Sequence, residues 1–404
     1  MEIRPILSTL LRNKTGALLL ILQVALSLAI LVNALHIVGL RLELAARPSG
    51  VADEASVIYL RAKPVKAPEP NAALAQRRRT LARLRAMPGV QAAALSSQMP
   101  LSRAGWTNSV RAHPDQAQPS ADAARYNGPD GLIQTWGLRL LEGRDFTPAD
   151  LSDPEHINAP AAVIVTRALA RRVWPDAASA VGRTLYFSRD PGGGRVIGVV
   201  ERLQTQGADN GPQDEYSVLT AVRDGREDIY TLRAAPGRLA AVTRDAEALL
   251  GAEQDGPAVI SVGSVAADRA ARYQSDIALA WMLVAISALL LLVTASGIVG
   301  ISSLWVAQRR RQIGVRRALG ARRADILRYF LTENLLLSGA GVGLGAALAL
   351  ALNQLLVSQL QLARLPPSYL AGGAVLFCAL GLAAVFAPAW RAASISPASA
   401  TRDA

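Results

Sequence analysis

Four apolar runs punctuate an otherwise mixed chain. Gly16–Leu40, Ile277–Val306, Leu335–Gln361 and Tyr369–Trp390 contain no Asp, Glu, Lys or Arg. About 20 apolar residues suffice to cross the hydrocarbon of a bilayer, so the pattern predicts transmembrane helices at 16–40, 277–306, 334–362 and 369–390. The second, at 30 residues, reaches roughly 45 Å at ~1.5 Å per residue and is expected to project beyond the ~30 Å hydrocarbon. A cleaved signal peptide competes for the first run, with Val32 and Ala34 at a cleavage site. The run exceeds the ~7–15 residues of a signal's apolar region, and three further spans would lack a first partner, which favours the helix. Helix three carries Gly339, Gly341, Gly343 and Gly345, two overlapping GxxxG pairs that let another helix approach closely. A phosphate-binding glycine loop would need a preceding strand and a polar setting, and this stretch has neither.

The 236 residues from Arg41 to Asp276 are too long and too mixed for a loop and predict a folded domain. Pro64, Pro68 and Pro70 suggest an irregular connection after a first strand at Val57–Leu60. Helical and strand periodicities then alternate. They predict helices at Asn71–Ala86, Arg167–Trp174 and Arg238–Leu250, with strands at Val90–Leu95, Ala162–Thr166, Val196–Val200, Tyr230–Arg233 and Val259–Val262. This is an α+β pattern. Asp190–Gly194 reads as a hairpin turn, and Ser264–Ser275 as a helix feeding the second membrane run.

Arginine orients the chain. Gln308–Arg328 holds eight arginines (Arg309, Arg310, Arg311, Arg316, Arg317, Arg322, Arg323, Arg328) against one acid, Asp325, inside the short connection 307–333. By the positive-inside rule such a loop stays cytoplasmic. Residues 1–15, with Arg4, Arg12 and Lys14 against Glu2, and the tail 391–404 fall on the same side. Residues 41–276 and the short turn 363–368 then face outward. The expected fold class is an α-helical membrane protein with four transmembrane helices and a large α+β extracytoplasmic domain inserted between helices one and two.

Composition agrees: 51% of residues are apolar and 18% charged, with mean hydropathy +0.24, away from an ordinary soluble protein. The net charge of +12 reads as juxtamembrane bias and lipid contact, not as nucleic-acid affinity, because the densest basic run abuts membrane helices. The lone Cys378 excludes an intrachain disulfide. His36, His113 and His156 lie in unrelated segments, and neither G-x-x-x-x-G-K-[ST] nor G-x-S-x-G occurs. No catalytic, cofactor or metal residue is assigned; the chain is expected to be a non-catalytic membrane subunit.

Three groups of residues resemble a known family. Gln312-Ile313-Gly314, then Arg316-Arg317-Ala318-Leu319-Gly320-Ala321, then a helix-like run from Asp325 through Ile326, Leu327 and Phe330, resemble the signature of MacB/FtsX-type ABC permeases. Gln312 stands where the family more often has glutamate. Positive-inside bias alone explains the arginines but not the Ile-Gly and Ala-Leu-Gly-Ala pattern. Trp136–Thr147, Val163–Pro175 and Arg195–Val200 resemble segments of the MacB-like periplasmic core domain, although Thr166 replaces a common asparagine. Pro388–Ala393 with Ile395–Ala398 is similar to the family's cytoplasmic end.

The resemblance implies a permease of a bacterial inner membrane with its large domain in the periplasm. It implies mechanotransmission: a cytoplasmic P-loop ATPase subunit, which binds the ATP and Mg, pushes a coupling helix built from Gln312, Ile313, Gly314, Arg316, Arg317, Ala318, Leu319, Gly320, Ala321, Arg323, Ile326, Leu327 and Phe330. A second permease protomer, identical or a sister chain, and a periplasmic adaptor are the further partners implied, and the substrate stays open. An FtsX-like regulator of a periplasmic cell-wall hydrolase is the alternative, with a membrane-anchored sensor or adhesion protein a third class that the coupling pattern argues against.

Overall fold

The computed structural model describes residues 14–65, 69–128, 131–153, 156, 159–187, 192–208, 211–222, 229–254, 256–360 and 363–394. The expectations for residues 1–13, Pro68, Asp190, Pro191 and the tail from Ile395 lie outside these. The chain divides into two compact units, one of residues 46–275 and one of residues 1–45 with 276–404.

Residues 46–275 contain two sheets. In the first, β1 (Val57–Pro64), α2 (Pro70–Arg85) and β2 (Val90–Ser96) form one half, and β10 (Ile229–Ala234), α5 (Leu239–Ala252) and β11 (Ala258–Ser264) the other. The strand order β11-β1-β10-β2, with every described pairing antiparallel, is that of a split β-α-β-β-α-β unit. Period-two alternation sends Ile58, Leu60, Leu232 and Ala93 to one face, where Leu81 and Leu84 of α2 and Val242, Ala246 and Leu250 of α5 cover them. The opposite face takes α3 (Leu132–Trp136): the Trp136 indole donates to Thr231 Oγ1 at 3.0 Å, and Arg233 Nε donates to the Thr135 carbonyl at 2.9 Å.

The second sheet lies, in chain order, between β2 and β10. Its strands are β3 (Thr107–Arg111), β4 (Ala121–Asn127), β5 (Leu140–Gly143), β6 (Ala162–Thr166), β7 (Thr184–Phe187), β8 (Gly193–Val200) and β9 (Ser217–Thr220). Among the described residues the order is β5-β8-β6-β9-β4-β3-β7, and β7 pairs with β8 as well, so six strands close into a ring with β5 attached. Val163, Val165, Val196, Val218, Leu185 and Phe187 fill its core with Leu169 and Val173 of α4 (Arg167–Val173). Thr166 caps α4 by accepting from the Leu169 N–H at 3.4 Å.

Residues 1–45 and 276–404 form a helical unit. Among the described residues four helices are long and apolar enough to cross a membrane: α1 (Lys14–Ala45), α6 (Val265–Gln308), α8 (Arg323–Leu360) and α9 (Pro367–Ala393). Helix α1 is the most enclosed, burying Leu20, Val24, Leu28, Leu31 and Val32. It meets α8 where side chains are missing: a Cβ on Gly341 would lie 2.8 Å from Val24, and one on Gly345 3.0 Å from the Ala25 Cα. That is the close approach a GxxxG pair permits. Gly339 and Gly343 have open space beside them among the described residues. The interface is also bonded: Asn33 Nδ2 donates across it to the Ala349 carbonyl at 3.1 Å, and within α1 to the Ala29 carbonyl at 2.9 Å. His36 packs edge-on against Tyr369 and contacts the Ala363 carbonyl, a helix-packing role.

Helix α6 presents a narrower seam. Within 276–308 its buried residues are Asp276, Ala280, Ser287, Thr294, Ile298, Ser302 and Trp305, recurring three, four or seven apart. Most are small or hydroxylated. Ser27 of α1 bonds Thr294 at 2.8 Å, and Arg41 pairs with Asp276 at 2.7 Å.

Candidate functional site

The basic stretch folds as a helix between two sharp joints. Helix α6 ends at Gln308, and α7 (Arg310–Ala318) starts after Arg309. The end of α7 follows the double-bonded glycine termination. Gly320 adopts φ +95°, its N–H donates to the Arg317 carbonyl at 3.2 Å, and the Ala321 N–H donates to the Arg316 carbonyl at 3.1 Å. Only glycine takes that backbone without a Cβ penalty. Two residues on, the Asp325 carboxylate accepts the Arg322 N–H at 3.0 Å and opens α8. The Ala-Leu-Gly-Ala pattern is thus a helix stop followed at once by a helix start.

Periodicity then splits the stretch into two faces. Ile313 and Gly314 are buried, and Ile313 packs with Ile326 (6% exposed) and Phe330 (5%) of α8 and Ala389, Ala392 and Ala393 of α9. Gln312, Val315, Arg316 and Leu319 are exposed, Leu319 at 84%. Their spacing of i, i+3, i+4 and i+7 makes one continuous helical face. Ala318, Gly320 and Arg323 are exposed, while Arg317, Ala321 and Leu327 are half-buried. Of the coupling-helix residues Leu319, Ile326, Leu327 and Phe330 implied by the resemblance, only Leu319 faces outward, and Val315, absent from that set, is exposed beside it.

Three contacts hold α7 in place. Arg317 Nη1 donates to the Ala393 carbonyl at the end of α9 at 2.8 Å. The Arg316 guanidinium lies over the Tyr329 ring, 5.3 Å from its centroid. At the α6–α7 joint, Arg309 Nη1 donates to both carboxylate oxygens of Glu333, at 3.0 and 2.9 Å. Arg309 is 8% exposed and Glu333 1%. Glu333 carried no flag in sequence except as the only acid between Asp325 and the end of the described chain. A lone acid beside an apolar run, with an excess of arginine upstream, was the available signal.

Two family models match most of the chain. Residues 19–249 match the MacB-like periplasmic core domain, and residues 284–397 match the FtsX-like permease C-terminal family. A pyoverdine export ATP-binding/permease protein, PvdT, of Pseudomonas syringae pv. syringae is 31% identical over 279 residues, covering 65% of this chain and 40% of that protein. A macrolide export ATP-binding/permease protein, MacB, of Nitrosomonas europaea is 28% identical over 236 residues, covering 56% and 34%. The chain thus spans about two fifths of the length of the curated relatives it matches. The periplasmic region of MacB from Actinobacillus actinomycetemcomitans aligns with a TM-score of 0.34 at 13% identity, covering 56% of this chain and 95% of that one.

Proposed function

Because this chain belongs to the MacB-like and FtsX-like family of ABC transporter permeases, we propose that it is a permease subunit driven by an ATPase that docks on α7. The observation that carries the reading is the outward face Gln312, Val315, Arg316 and Leu319, on a helix whose other face is locked into the core. Helix-in-groove recognition uses this i, i+3, i+4, i+7 anchor spacing. The flanking arginines supply register and steering. In this reading ATP and Mg are held by that ATPase; the 404 residues themselves carry no phosphate-cradling motif.

In this reading the arginine-rich segment is cytoplasmic and residues 41–276 form a periplasmic domain inserted between the first two spans of an inner-membrane protein. ATP-driven closure of the ATPase displaces α7, and the long helix α6 carries the displacement outward. The relatives are named for export of pyoverdine and macrolides; export of a small molecule is accordingly the transport class proposed for this chain. A second permease protomer completes the assembly, and a periplasmic adaptor is its outer partner.

Association tests the docking. The full chain, expressed tagged in its source cell, is expected to retain a P-loop ATPase through purification, and Leu319→Asp is expected to release it while the chain stays inserted. Retention of the same ATPase by Leu319→Asp and by Val315→Asp alike contradicts docking on this face.

A further inference from the structure

Helix α6 meets the rest of the helical unit through a narrow seam that includes the small, hydroxylated Ser287, Thr294 and Ser302, while Trp281, Leu289, Leu292 and Leu304 point outward. The outer end carries the Arg41–Asp276 pair, with side chains 28% and 11% exposed, and the foot a more enclosed pair, at 10% and 2%. Arg309, the residue between α6 and α7, is held to Glu333 on α8 and lies against the ring of Trp305, 5.9 Å from its centroid. Trp305 in turn fills the space beside Gly16 of α1. A charged pair buried beside apolar helices is costly, and ionisable residues at membrane depth point to a functional role.

The form of the contact indicates what that is. A strut would use the two-point fork by which guanidinium and carboxylate fix each other's angle. Here a single nitrogen, Nη1, takes both oxygens, which fixes position but leaves the angle free. We propose that Arg309 and Glu333 form the pivot about which displacement of α7 tilts α6, so that both are positioning residues for energy coupling. The proposal rests on the ATPase-coupling reading above. It requires the foot of α6 to keep its distance from α8 while the other end of the same membrane segment moves.

Spin-label distances test this on the full chain in nanodiscs, in a Cys378→Ser background. Labels at Leu304 and Leu336 report the foot, and labels at Trp281 and Leu355 the far end; all four positions are exposed. The expected result is a narrow foot distribution that Mg-ATP and vanadate do not shift when the retained ATPase is present, with a clear shift at the far end. Glu333→Gln is expected to broaden the foot distribution in the isolated chain and to abolish the far-end shift, and the swap Arg309→Glu/Glu333→Arg to restore both. Should Glu333→Gln fail to insert, Arg309→Met/Glu333→Met decides, because apolar replacement of a buried pair is tolerated by the fold; it is expected to insert and still lose the narrow foot. A foot that stays narrow in the variants, or one that shifts as far as the outer end, overturns the pivot. A far end that ignores nucleotide in the wild type contradicts the coupling reading instead, and the nucleotide-free foot comparison then judges the pivot separately.

Discussion

Asp150 shows how a family motif becomes a local structure. Its carboxylate takes Arg144 through both guanidinium nitrogens, at 2.6 and 2.9 Å, and accepts from the Thr147 N–H and hydroxyl at 2.8 and 2.7 Å. Hydrogen bonds from Arg144, then from Thr147, hold it well below the usual carboxylate range. A depressed native pKa stabilises the fold above the unfolded value of ~3.9 and is lost as pH falls through that value toward the native one. The melting-temperature gap between wild type and Asp150→Asn is therefore expected to be constant near neutrality and to shrink below about pH 4. A gap that widens on acidification contradicts this assignment. At Gly341 the issue is space: leucine there collides with Val24 and is expected to lower thermal stability in detergent, whereas Gly343→Leu, facing open space, is expected to leave the single chain's stability near wild type. The sequence offered four equivalent glycines, and only the partner helix distinguishes them.

At the scale of elements, legibility followed local periodicity. The strands β1, β2, β6, β8, β10 and β11 and the helices α2, α4 and α5 all appear within a few residues of their predicted places. The strands Thr107–Arg111 and Ala121–Asn127 had no apolar alternation to show. In β4 the buried Arg125 is accommodated because its guanidinium lies over Phe187, 4.4 Å from the ring centroid, and Gln98 donates to its carbonyl at 2.9 Å. Partners that distant in sequence leave no local pattern. The candidate site was legible in outline for the same reason. Gly320 and Asp325 advertised the joints, but which of Ile313, Leu319, Ile326 and Phe330 faces outward depends on α9, and Glu333 acquires its partner only through tertiary contact. Gly320→Ala places a Cβ in the left-handed region at about 1–2 kcal/mol. It is expected to loosen the end of α7, read as faster amide exchange at Ala321; unchanged exchange contradicts the role given to this turn.

For the molecule as a whole, arginine asymmetry carries the proposed orientation. A cysteine at Ser120 is expected to react with a membrane-impermeant reagent in spheroplasts and one at Arg316 to be protected, in a Cys378→Ser background; the reverse pattern inverts the topology. The central claim, that the exposed face of α7 conveys the ATPase's work, is tested most directly by ATP turnover of the retained ATPase reconstituted with this chain in nanodiscs. Wild type is expected to stimulate turnover, and Leu319→Asp, at a residue that is 84% exposed and spared by the core, to abolish stimulation without lowering the chain's own melting temperature. Stimulation by Leu319→Asp equal to that of wild type would show that the energy enters elsewhere.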